Sequence, residues 1–227
     1  MRIALCLMIA VLAIGGERID AARDAGDSPL PLDITVQIHD YVHLPPAVLS
    51  TASDVVSHVY QSIGVRTAWL APLQQKAYES GGSPSHGSRA PSNPSRVPIA
   101  QITVLVLTPQ MTVRGHIPEG ILGFAAVATD GGIGRIAYVI YDRVREQASI
   151  GAIDERELFG LVMAHEIGHL LLGPGSQGEA GLMKGNWDRE DLLRFTRMTP
   201  QFSSREADEI RGALGAAGSV GTAGRSH

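Results

Sequence analysis

Residues 153–172 are largely apolar beyond an acidic first turn, with His165, Glu166 and His169 set among Phe159, Leu161, Val162, Met163 and Leu170 to Leu172. Imidazoles and carboxylates are costly in such surroundings unless something partners them. The run predicts a helix: Asp154, Glu155 and Glu157 crowd its first turn, where acidic groups meet the positive end of the helix dipole, and Gly173-Pro174 stops it. Residues four apart share a helix face, so the two imidazoles converge on one point and Glu166 lies beside it. The spacing His-Glu-x-x-His predicts His165 and His169 as ligands of one zinc ion, Zn2+, and Glu166 as a general base. In that chemistry the metal brings the pKa of its water toward about 7, and the glutamate takes the proton and delivers it to a leaving amine. In a chain with 8 histidines this spacing arises about 0.01 times by chance, so it is specific.

The rest of the composition narrows the alternatives. At 227 residues and 44% hydrophobic content the chain has material for one well-cored domain. A net charge of −4 supplies no broad basic surface, which argues against nucleic acid and anionic membranes as partners. The single cysteine, Cys6, rules out an internal disulfide and any Cys-based metal site, leaving His, carboxylate or amide groups to hold a metal. Met1-Arg2, an apolar stretch over residues 3–14 and then Gly15-Gly16-Glu17 have the anatomy of a secretory signal peptide. We expect residues 1–22 to be removed, with cleavage between 16 and 22, and the product to be secreted or periplasmic. No later stretch reaches the roughly 18 consecutive apolar residues of a membrane span, so no membrane association is expected after signal removal.

A single domain over residues 30–214 is expected. Residues 33–39 alternate polar and apolar, as a half-buried strand does, and Pro45-Pro46 then opens a helix over 47–63 carrying Val48, Val55, Val59 and Ile63 at helical spacing. Residues 65–70 form a second short strand. Residues 74–98 are rich in Ser, Gly and Pro and read as a flexible insertion. Residues 99–108 read as a central strand, and 121–128 and 135–141 as two extended segments around the turn-rich Asp130 to Gly134. Asp188 caps a helix to about Arg197, Ser203 or Ser204 caps a last one to about Leu214, and the Gly/Ala/Ser-rich residues 215–227 are expected to be disordered.

The segment from His165 to Gly173, followed by Gly181-Leu182-Met183, resembles the zinc-binding helix and methionine turn of metzincin-type zincin metallopeptidases. More loosely, Leu122 to Ala125 together with Val139 to Val144 resembles small exported bacterial proteins of metalloprotease type. The resemblance implies an α+β, zincin-like fold. In it a twisted mixed sheet of four to five strands packs on two main helices, with the His-Glu-x-x-His helix second and short C-terminal helices after it. It also implies an edge strand above a cleft and a methionine beneath the metal.

The chain departs from that pattern at the third ligand: metzincins place a Gly three residues and a His six residues after the second His, where this chain has Leu172 and Gly175. Gln177 stands where the related bacterial proteins carry a histidine before Gly-Leu-Met, though an uncharged amide oxygen is a poorer ligand than imidazole. Glu179 and the group Asp188, Glu190 and Asp191 are the other candidates, with a helix cap the preferred role for Asp188. His39, His43, His58, His86 and His116 lack ligand spacing and read as ordinary surface or core histidines. Tyr138 and Tyr141 read as strand packing residues, and Trp187 as packing beneath the loop. The expected function is a metallopeptidase (a hydrolase) acting on peptide or protein substrates. The alternative is a catalytically impaired binding or inhibitory module of the same fold that has lost its third ligand.

Overall fold

The computed structural model describes residues 32–70, 98–129 and 131–223, without the side chains of 220–223. Residues 1–22, expected to be a signal peptide, and nearly all of the expected insertion over 74–98 lie outside the described residues. Strands β1 (Leu32–Asp40), β2 (Val65–Leu70), β3 (Ala100–Leu107), β4 (Gly123–Ala126) and β5 (Ile136–Ile140) form one sheet in the order β2-β1-β3-β5-β4. The first four in that order run parallel, and β4 closes the edge antiparallel to β5. Parallel neighbours need a crossover, and α1 (Pro46–Ser62) supplies the one between β1 and β2. The central strand is β3, whose Ile102, Val104 and Val106 are fully buried.

Helix α1 packs against α4 (Glu155–Leu172), the helix that bears the two histidines. The pair approaches closely because Gly160 has no side chain: a Cβ there would lie 2.7 Å from Val55 Cβ and 2.8 Å from the Ala52 carbonyl oxygen. The Tyr60 hydroxyl crosses the same interface to donate to the Ala164 carbonyl at 3.0 Å. From Leu158 to Ile167 every residue of α4 is buried, as expected of a helix apolar on all sides. The α+β architecture, the mixed five-stranded sheet and the two main helices match the expectation from sequence.

Three elements differ from it. Helices α2 (Pro109–Arg114) and α3 (Tyr141–Gly151) were not anticipated. The latter starts directly at the end of β5, with no Gly or Pro to mark its start, and after Gly151 it is capped by Ala152 at φ 54°. After α5 (Arg189–Phe195), the last helix α6 (Ser204–Ala223) does not stop at Leu214 and is not short: it runs 20 residues, through most of the segment expected to be disordered. Its alanines favour helix, and Gly212 and Gly215 have open space where a side chain would be, so these glycines neither stop the helix nor mark a close contact.

Candidate metal centre

Asp154 caps α4, its carboxylate accepting from the Arg156 amide at 2.8 Å. At its far end the helix emerges into a cleft of about 720 Å³ whose floor holds His165, Glu166 and His169. One wall is Gly120 to Ala125, the lead into β4 and the strand itself; the other is Gly173 to Gln177 with Lys184 to Trp187.

The two imidazoles present Nε2 to Nε2 at 3.0 Å. Their outer nitrogens are both engaged: His165 Nδ1 lies 2.7 Å from the Leu182 carbonyl, and His169 Nδ1 lies 2.7 Å from Ser176 Oγ. A carbonyl only accepts, so His165 carries its proton on Nδ1 and its Nε2 is a bare lone pair. Burial lowers the pKa of both rings, and that of His169 falls to about 4 because the two adjacent rings also resist carrying charge together, so both are neutral near pH 7. Trp187 sets its indole edge-on to His165 at 5.4 Å and meets Phe195 in the same way.

Glu166 is 5% exposed, and its Oε2 has no hydrogen-bond partner. Burial pushes its pKa up to about 8. The carboxyl fits beneath the edge strand only because residue 123 is glycine: a Cβ on Gly123 would lie 2.9 Å from Glu166 Oε1 and 2.7 Å from the Tyr138 carbonyl oxygen.

Beneath the helix, Met183 is fully buried, and a Cβ on Gly168 would lie 2.7 Å from its sulfur. Gly168, directly before His169, thus lets α4 rest on the methionine, while the preceding residue, Leu182, supplies the carbonyl that orients His165. Gly181, at φ 73°, makes the turn, and the Leu182 amide donates to the Gln201 carbonyl at 3.1 Å.

The other candidates separate. Gln177 lines the cleft, exposed, with its carboxamide packed against Gly185 in the space a Cβ would fill. Glu179 is exposed and outside the cleft lining. Asp188 caps α5 in a reciprocal box with Asp191, and both carboxylates pair with Lys184 while Asp191 also meets Arg194 at 3.1 Å. Glu190 is exposed. Among the described residues no group of three or more His, Cys, Asp or Glu side chains is arranged to hold a metal. Tyr138 stacks on Phe124 at 4.4 Å, and Tyr141 packs edge-on to Phe159. Ser176 and the Leu182 carbonyl were missed from sequence; the signal available was a hydroxyl seven residues beyond His169 in an otherwise featureless loop.

The donor chemistry fits a cation. Two neutral imidazole nitrogens 3.0 Å apart approach the separation of about 3.3 Å expected for two ligands of one tetrahedral ion. Both rings are oriented through their second nitrogens, as metal-bound histidines usually are.

No family model matches the chain, and no curated protein matches it. Among solved structures, archaemetzincin from Methanopyrus kandleri is similar over 83% of this chain and 99% of that one, with 16% identity and a TM-score of 0.42. A likeness at this level says nothing of activity, so the chemistry rests on the side chains.

Proposed function

We propose that the chain is an exported zinc-dependent peptidase in which His165 and His169 hold the metal, Gln177 completes the protein ligands and Glu166 is the general base. The observation that carries this reading is the facing pair of Nε2 atoms beside a buried, unpartnered carboxylate oxygen. When bound, zinc supplies an electrophile for a peptide carbonyl and a water with a pKa near about 7. Glu166 alone is protonated at neutral pH, and positive charge between the neighbouring histidines favours its ionised form. It then accepts a proton and returns it to the leaving amine. The edge strand β4, paired only with β5 among the described residues, offers free backbone groups to an extended peptide. Export rests on the apolar stretch at residues 3–14, and a secreted product beginning between residues 17 and 23 would support it.

A second reading, an impaired binding or inhibitory module, is favoured by the absence of a third His, Cys, Asp or Glu at the pair among the described residues. Bound zinc per chain and general proteolysis, measured for the wild type, Glu166→Gln and Gln177→His, separate the two. A zinc-loaded, active wild type beside an inert Glu166→Gln supports the peptidase. A metal-free, inert wild type that gains both properties through Gln177→His sinks it.

A further inference from the structure

Arg143 lies in the first turn of α3, where a cation meets the wrong end of the helix dipole. The adjacent Asp142 pairs with Arg145 instead, and no carboxylate among the described residues pairs with Arg143. Its guanidinium donates to three backbone carbonyls of one short loop: Nη1 to Pro118 at 2.6 Å and Ile121 at 2.9 Å, and Nη2 to Ile117 at 3.4 Å. Those carbonyls turn inward because the loop is bent by left-handed backbone at His116 (φ 51°) and Gly120 (φ 85°). Beyond the bend, Gly120, Ile121 and Leu122 line the cleft, and Gly123 rests on the Glu166 carboxyl.

We infer that Arg143 is a positioning residue that clamps the 117–121 loop and thereby fixes the height of the cleft rim above His165 and Glu166. Its planar fork of donors suits this task, since one group satisfies three acceptors of a segment with few backbone bonds of its own. The consequence for substrate rests on the peptidase reading: an extended peptide bound along the rim should feel Arg143, and a ligand that touches only the metal should not.

The test uses the zinc-loaded full chain as wild type, Arg143→Met and Arg143→Lys. Amide exchange at residues 119–124 is compared with that in α4. Affinities are measured for zinc, for acetohydroxamate, which reaches only the metal, and for a tripeptide hydroxamate long enough to lie along the rim. For Arg143→Met we expect rim exchange to accelerate about tenfold or more while α4 is unchanged. We also expect the tripeptide hydroxamate to weaken about tenfold, with zinc and acetohydroxamate within about twofold and KM rising more than kcat falls. Arg143→Lys, able to reach one or two of the carbonyls, should fall between. Unchanged rim exchange would overturn the clamp, as would an equal loss of both hydroxamates and zinc, which marks a role in folding alone. If the wild type binds neither hydroxamate, the peptidase reading fails, and the exchange result by itself decides for or against the clamp.

Discussion

The two sides of the candidate metal centre are built by opposite means. The helix side, with His165, Glu166 and His169, is locked by packing: Gly160 against α1, Gly168 against Met183, and Tyr60 bonded to the Ala164 carbonyl. The loop side, with Gln177, is bent through Gly173, Gly175 and Gly181, all at positive φ, and Gln177 itself is exposed. One side has its geometry before any ligand arrives, whereas the other depends on a loop whose shape is set by glycine. The difference teaches that the two histidines are placed by the core while Gln177, the proposed third donor, is placed by the loop, so the two sides should respond differently to substitution.

Met183→Ala tests the helix side most severely. Removing a fully buried side chain under Gly168 should cost about 2–5 kcal/mol in denaturant unfolding. An unchanged midpoint would break the claim that this side is held by packing. Ser176→Ala bridges the two sides, because Ser176 belongs to the loop but holds His169 Nδ1 at 2.7 Å. Zinc affinity, read by competition with a chromophoric chelator, should fall by about 10–100-fold, and a drop under twofold would show that packing alone orients His169. Gly175→Ala addresses the loop itself: at φ 74° an added Cβ should cost about 1–2 kcal/mol, with the ring resonances in NMR of His165, which is held by the Leu182 carbonyl, unmoved. Movement of those resonances would show that the two sides are not independent.

The smallest effect concerns pH at the start of α4. The Asp154 carboxyl is held down to about 2 from an ordinary 3.8, chiefly by the hydrogen bond from the Arg156 side chain. A lowered carboxyl stabilises the fold above its unfolded value and loses that contribution as pH falls from about 4 through about 2. Both partners are substantially solvated, so the gap between wild type and Asp154→Asn should be under about 1 kcal/mol. Unfolding curves from pH 6 to pH 2 should show it closing; a gap that widens toward acid would be contrary to the assignment.

The helix side was legible in sequence because periodicity, capping and ligand spacing all point to one local structure: Asp154, His165, Glu166, His169 and Gly173 each carry their meaning within a turn or two. The strands of the sheet were legible for the same reason. What escaped depends on contacts distant in sequence or on helices without punctuation. Helix α3 follows β5 with no breaker between, and α6 runs on through Gly212, Gly215 and Gly218, which do not stop it. The Glu166 carboxyl beneath Gly123 of the edge strand, the Leu182 carbonyl on His165 and Arg143 on the loop are tertiary facts, invisible to spacing. The position of Gln177 on the cleft wall, against Gly185, is likewise set by the path of the loop and not by local spacing.

The unpartnered oxygen of Glu166 also bears on how this chain would evolve under selection. A buried acceptor left unsatisfied costs roughly 1–3 kcal/mol, and at position 166 no neighbour offsets it. Random variants screened only for heat resistance should therefore discard Glu166 early, for methionine or leucine, while keeping both histidines. A population screened for activity at the same temperature should keep all three, and the frequency of residue 166 in the two pools would measure the opposition between durability and chemistry at that one carboxyl.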